Sequence, residues 1–278
     1  MKRFLFKTIP FSIILAALLV SRYWLLNDSR FNYYYYPEKD IQNKIVIIGD
    51  SKMLTGIDDQ CFTSNNLELV NLSSWGAFPL DHIVALKDHK IENNLIVLNI
   101  SSRIFLLNDS SSIQNSPTSI KNILNFRIHN KITDMLNQSA GRWEYERQPS
   151  GSMKFNHKFN TKFDYNWEYD SIYHTKLLNN PKLTSRTDIK IQHLKELINS
   201  LKIKNKVILI DGPERACFND LVSLFETELF NKIEKELNLT VFDFGVYNDS
   251  LFYDSHHLND DGSKIFSSQL IDIIKKVE

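Results

Sequence analysis

A chain of 278 residues, 42% hydrophobic and 12% aromatic, is long enough to bury a sizeable core and too apolar to be a disordered or fibrous protein. Lys plus Arg number 33 and Asp plus Glu number 33, so the molecule lacks the basic excess that neutralising nucleic-acid phosphates requires, and nucleic-acid partners are set aside. Cys61 and Cys217 are too few for a disulfide framework, sit at no metal-ligand spacing, and leave their own pairing open.

At the N-terminus, Lys2, Arg3 and Lys7 precede the apolar run Thr8–Val20, the pattern of a targeting segment. A spanning helix needs ~20 residues, so the run suffices only if the helix continues to Leu26. No small-x-small cleavage site follows it, and Tyr23, Trp24, Phe31 and Tyr33–Tyr36 form the aromatic cluster of a membrane–water boundary. Residues 1–26 are therefore expected to be an uncleaved signal anchor and residues 27–41 a juxtamembrane linker, with a cleaved signal peptide as the rival. The basic end belongs in the cytoplasm. For a bacterium this predicts a single-pass protein of the inner (cytoplasmic) membrane whose domain, residues 42–278, lies in the periplasm or outside the cell.

Within that domain short β-branched runs alternate with helical patterns, the sign of βαβ units. Strands are expected at Ile45–Ile48, Leu67–Leu72, Leu95–Ile100, Val207–Ile210 and Thr240–Phe244, most of them continuous apolar runs that imply burial on both faces. Helices are expected at Leu80–His89, Ser119–Asn137, Thr187–Leu201, Asn219–Leu237 and Asp260–Val277, the last with Ile265, Phe266, Leu270, Ile273, Ile274 and Val277 as an apolar stripe. The fold class is α/β, a three-layer sandwich around a mostly parallel five-stranded sheet, preceded by one N-terminal membrane helix. Residues 103–181 break the alternation and read as an insertion; its aromatic-rich part, Trp143–Tyr173, is either a carbohydrate-stacking wall or lid, or a flap that packs its rings inward.

Gly49-Asp50-Ser51 follows the first strand, which puts Ser51 at the carboxyl edge of the sheet, where open α/β sheets bind ligands. A short helical stretch, Ser51–Ile57, begins there, so the Ser51 amide points toward a developing oxyanion. A serine needs a base to become a nucleophile, and the most suggestive histidine is His257, with Asp254 three residues earlier to hold its tautomer. His256 is expected to point elsewhere. The bland reading of Ser51 is a helix cap, and Asp50 is expected to hold the loop through backbone hydrogen bonds. The rival reading of His256 and His257 is a metal site with Asp254, Asp260 or Asp261, although no third His or Cys is spaced for it. His82 and His89 read as a solvated helix face, and Asp260-Asp261-Gly262 as helix-start chemistry.

On Gly49-Asp50-Ser51 and Asp254-Ser255-His256-His257 the chain resembles the SGNH (GDSL-type) hydrolase superfamily. The tail Asp254–Phe266 is similar to a membrane-anchored branch that acts in acylation of envelope polysaccharides and teichoic acids. The resemblance spans Ile45–Ile100 and Val207–Leu270. It implies an SGNH/flavodoxin-like fold, a triad of Ser51, His257 and Asp254, and an oxyanion hole formed by the amides of Ser51 and Gly76, since Asn71–Gly76 looks like the family's second block. The third block departs from the family: Gly-x-Asn-Asp is absent, Asn99 is too early, and Ser101 or Ser102 falls nearest the slot. Loss of one such donor costs ~100-fold or more in rate.

No Walker loop, dinucleotide fingerprint, Gly-x-Ser-x-Gly elbow or zinc-protease motif occurs, so neither cofactor nor metal is expected. These readings lead to a membrane-anchored extracytoplasmic serine esterase or O-acyltransferase acting on acyl esters of an envelope or secreted polysaccharide. The alternative is a catalytically weak SGNH-like subunit that binds glycan or scaffolds a membrane O-acyltransferase. A third reading, a lipase on membrane lipids, would require an exposed apolar rim near Ser51.

Overall fold

A computed structural model describes residues 40–73, 82, 83, 86, 90–106, 145–155, 182–254 and 256–277. Their elements in chain order are β1 (Asp40–Gln42), β2 (Ile45–Ile48), α1 (Ser51–Gly56), α2 (Asp59–Ser64), β3 (Leu69–Asn71), β4 (Lys90–Glu92), β5 (Leu95–Asn99) and α3 (Ser102–Leu106). There follow β6 (Tyr145–Arg147), β7 (Met153–Phe155), α4 (Ser185–Lys202), β8 (Lys206–Asp211), β9 (Glu214–Arg215), α5 (Ala216–Leu237), β10 (Val241–Asp243), β11 (Val246–Tyr247) and α6 (Asp260–Val277). The expected anchor, the helix Ser119–Asn137 and most of the aromatic-rich stretch lie outside the described residues; of Leu80–His89, residues 82, 83 and 86 are helical. Among the described residues no helix is long and apolar enough to cross a membrane.

All five expected strands form, and they join one sheet in the order β10-β8-β5-β2-β3. Every pairing in it is parallel, with Ile45 opposite Leu95 and Leu69, Leu95 opposite Lys206, and Val241 opposite Leu209. Counted along the chain the order is 2-1-3-4-5, which places the reversal of winding between β2 and β5, where the connections leave the carboxyl edge towards opposite faces, the usual place for a ligand crevice in such sheets.

Alternation along the strands sends side chains to two separate cores. Val46, Ile48, Ile96, Leu98, Val207 and Leu209 pack with Ile191, Leu194 and Ile198 of α4 and Phe225, Leu229 and Ile233 of α5. Ile45, Ile47, Val97, Ile208 and Ile210 pack instead with Met53 of α1, Phe62 of α2 and Phe266, Leu270 and Ile274 of α6. The sheet is thus the middle of three layers, which explains why its strands read as unbroken apolar runs. Phe266 meets Phe244 edge to face, with centroids 4.7 Å apart. Within the α6 stripe Ile265 departs from expectation: it is 41% exposed, while Phe266, Leu270 and Ile274 are buried.

Local chemistry sets the helix ends. Thr184 and Thr187 form a reciprocal capping box at the start of α4, and α5 stops at Asn238, which takes a left-handed φ of 50°. Beyond α3, the described part of the insertion is the antiparallel hairpin β6-β7. It is tied to the junction of α1 and α2: Gln148 Nε2 donates to the Ile57 carbonyl (2.7 Å), Ser150 Oγ to Asp59 (2.6 Å), and Lys154 binds Asp58 (3.0 Å). These polar contacts tie residues 148–154 to the domain.

Candidate active site

Strand β2 delivers Ser51 to the carboxyl edge. Gly49 follows the strand where a side chain has no room: a Cβ there would stand 2.8 Å from Met53 Cγ and 2.9 Å from Asn99 Cβ. Asp50 caps α1 by accepting from the Lys52 amide (3.1 Å), so its structural role takes the form expected of it. The same Asp50 oxygen accepts from Asn99 Nδ2 (3.3 Å), and Asn99 Oδ1 accepts from the Gly212 amide (3.0 Å). Asn99 therefore pins together the ends of β2, β5 and β8. The sequence reading assigned it no role.

The partner loop runs from Phe252 to Asn259 and is closed on itself. Phe252 bridges Leu258, and the Tyr253 amide donates to the His257 carbonyl (2.7 Å). Asn259 Nδ2 donates to the Ser250 carbonyl (2.7 Å), while its Oδ1 accepts from the Gly262 amide (3.0 Å) and caps α6. Gly262 is required here, since a Cβ would fall 2.2 Å from the Leu251 carbonyl oxygen.

These two segments, 206 positions apart, bring the three expected side chains together. His257 Nε2 lies 2.9 Å from Ser51 Oγ, and His257 Nδ1 lies 2.6 Å from Asp254 Oδ2. All three side chains are buried. The other Asp254 oxygen accepts from the amides of His256 (3.0 Å) and His257 (2.8 Å). Burial alone would favour the neutral acid, but the charge and hydrogen bond of His257 and the two amides outweigh it and hold Asp254 below the ordinary carboxylate range. A charged Asp254 can only accept, so Nδ1 carries a proton, and in the neutral imidazole the Nε2 lone pair then faces Ser51. That is the protonation state in which the ring can take the serine proton.

His256 does not point away as expected. Its ring lies against that of His257, with centroids 3.9 Å apart and a tilt of 45°. The ligand atoms of Asp254, His256 and His257 lie within 4.8 Å of one another, but both Asp254 oxygens already accept hydrogen bonds. Asp260, one of the other carboxylates weighed for a metal, lies in the first turn of α6 and is paired with Lys154 and with Lys264 (2.8 Å).

Of the expected oxyanion donors, the Ser51 amide opens α1 and Gly76 lies outside the described residues. Ser102 is corrected: its hydroxyl donates to Glu226 Oε1 (2.5 Å), so its proton is engaged in α5. Ser101 Oγ is buried and has no hydrogen-bond partner among the described residues; it lines a small cavity with Gly49, His82 and Asn99. His82 is a second correction. Instead of a solvated face it occupies the interior, where burial lowers it to about 3 against a backbone hydrogen bond to Gly49.

One cluster escaped the sequence reading altogether. Asp211 at the end of β8, Glu214 of β9 and Glu226 of α5 are all buried, and Lys52, next to Ser51, forms a buried ion pair with Glu214. Burial raises Asp211 and Glu226 above the ordinary carboxylate range, against the pull of Lys52 and, for Glu226, the Ser102 hydroxyl. The available signal was positional: Asp211-Gly212-Pro213-Glu214 follows an expected strand directly, at the sheet edge that also carries Ser51.

No family model and no curated protein matches the sequence. Among solved structures the chain is similar to an acetyl xylan esterase from the rumen bacterium Butyrivibrio proteoclasticus (11% identity, TM-score 0.41, covering 85% of this chain and 64% of that one). It is also similar to a family two carbohydrate esterase from Clostridium thermocellum in complex with cellohexaose (12% identity, TM-score 0.42, covering 85% and 65%). The chain thus spans less than two thirds of either esterase, and both scores lie below 0.5.

Proposed function

We propose that the protein is a serine ester hydrolase or acyltransferase of SGNH type. The observation that carries this reading is the unbroken chain Ser51 Oγ, His257 Nε2, His257 Nδ1, Asp254 Oδ2, at 2.9 and 2.6 Å. Ser51 Oγ attacks the acyl carbonyl while His257 Nε2 takes its proton, and Asp254 stabilises the imidazolium that forms. The proton then passes from Nε2 to the leaving alcohol oxygen as the carbonyl–oxygen bond breaks, leaving an acyl group on Ser51. Water, or a sugar hydroxyl, repeats the sequence in reverse. The Ser51 amide and Gly76 hold the oxyanion, with Ser101 as the hydroxyl left for the third donor.

An acylated carbohydrate is the proposed substrate class, by the resemblance of Asp254–Phe266 to the polysaccharide-acylating branch. The basic, apolar N-terminus supports a membrane-tethered, extracytoplasmic setting, and a membrane O-acyltransferase is the corresponding partner. The second reading, a binding or scaffolding subunit, draws on Asn99, whose amide is spent on Asp50 rather than offered to an oxyanion.

One experiment separates the two. A fluorophosphonate probe is expected to label the folded full chain and to leave Ser51→Ala unlabelled, with turnover of a chromogenic acetyl ester falling at least ~10³-fold in the variant. Folded protein that takes no label favours the scaffold. Turnover unchanged in Ser51→Ala removes the nucleophile.

A further inference from the structure

Behind the nucleophile helix lies a pocket of charge that the ester chemistry does not use. One carboxylate oxygen from each of Asp211, Glu214 and Glu226 lies within 4.8 Å of the other two. Asp211 is 1% exposed and Glu214 3%, yet among the described residues Asp211 Oδ1 and Glu214 Oε2 have no hydrogen-bond partner. Lys52 engages only the other Glu214 oxygen, and Ser102 engages Glu226. With all three carboxylates ionised, one ammonium would leave two negative charges in the interior without a counter-charge, and burial penalises such charge strongly.

We propose that Asp211, Glu214 and Glu226 form a binding site for one hard divalent cation, of the calcium, magnesium or manganese class, beside the nucleophile loop. The donor set is all oxygen, which selects hard cations over zinc or copper. Ligand oxygens at about 2.0 to 2.5 Å from an ion lie no more than about 5 Å apart, a limit the trio meets. A charge of plus two would favour the ionised form of carboxylates that burial, Asp243 and, at Asp211, Asp50 otherwise push towards neutrality. The ion clasps β8, β9 and α5 to one another and, through the Lys52–Glu214 pair, to the residue after Ser51. Its role is to hold that face of the site in place, and the proposal does not depend on Ser51 being a nucleophile.

The test uses the full chain, freed of metal with a chelator and titrated by calorimetry with Ca²⁺, Mg²⁺ and Mn²⁺ separately. Binding of one equivalent of at least one ion more tightly than ~1 mM is expected, together with a thermal midpoint that rises with ion concentration. Asp211→Asn and Glu226→Gln are each expected to weaken binding about tenfold or more, and Ser51→Ala and His256→Gln to leave it unchanged. If Asp211→Asn does not fold, Glu226→Gln alone decides. No binding up to about 10 mM, beyond the weakest calcium sites, overturns the proposal and leaves protons as the compensating charge. Binding that survives both carboxamide variants, or that His256→Gln abolishes, places the ion elsewhere and overturns it equally.

Discussion

Asp254 keeps its charge in a place that penalises charge, and the reason is countable. One imidazole N–H and two backbone amides converge on its two oxygens. Asp254→Asn preserves the shape but turns an acceptor into a donor toward Nδ1, which forces the imidazole proton onto Nε2 and points a hydrogen at Ser51. Ester turnover in this variant is expected to fall ~10³- to 10⁴-fold with KM little changed, as steady-state kinetics on an acetyl ester would register. An equal loss through KM would instead mean that Asp254 shapes the binding site. Residue types and spacing were enough to nominate Ser51, Asp254 and His257, because nucleophile, base and orienting acid are a chemical requirement. They said nothing of Asn99, whose amide acts only on groups brought to it by β2 and β8.

Among the elements, the junction of the 252–259 loop with α6 carries the tightest constraint. Asn259 caps the helix, Gly262 lies against the Leu251 carbonyl, and the loop so closed presents His257. In Gly262→Ala the added methyl must displace backbone rather than a side-chain tip. A destabilisation of ~1–3 kcal/mol by urea unfolding is expected, accompanied by lower ester turnover from a displaced imidazole. A variant of wild-type stability and activity would show that the loop has slack. The strands and long helices were legible because burial writes period and length into sequence: β2 and α6 fall at the expected limits. The hairpin β6-β7 was not, since its anchoring is polar and borrows partners from α1 and α2, which local pattern does not encode.

At the scale of the whole molecule, the three layers bury ionisable groups whose folded-state proton affinities oppose one another. His82 is held neutral at about 3 against an ordinary 6.5. The unfolded chain therefore binds the extra proton across that window, and the stability it represents is full above 6.5 and is lost as pH falls toward 3. Asp254, held low, works in the same direction over the acidic end of the window. Asp211 and Glu226, held high, work against both, favouring the folded state as pH falls. Urea unfolding is expected to show that His82→Gln flattens the decline between pH 6.5 and 4, by an amount of order a few kcal/mol. An identical slope in wild type and variant would place the acid sensitivity in other groups.

The order of strands and helices, the double burial of the sheet and the identity of the candidate triad were all written in the chain itself, because hydrophobic periodicity and the demands of acyl chemistry are local properties of residue type. Tertiary structure alone decided that His82 faces inward, that Ser102 is spent on Glu226, and that Asp211, Glu214 and Glu226 share one pocket with Lys52. Those outcomes depend on which elements meet across the sheet edge. A carboxylate's neighbours and its solvent are set by that meeting, and no window along the sequence contains them.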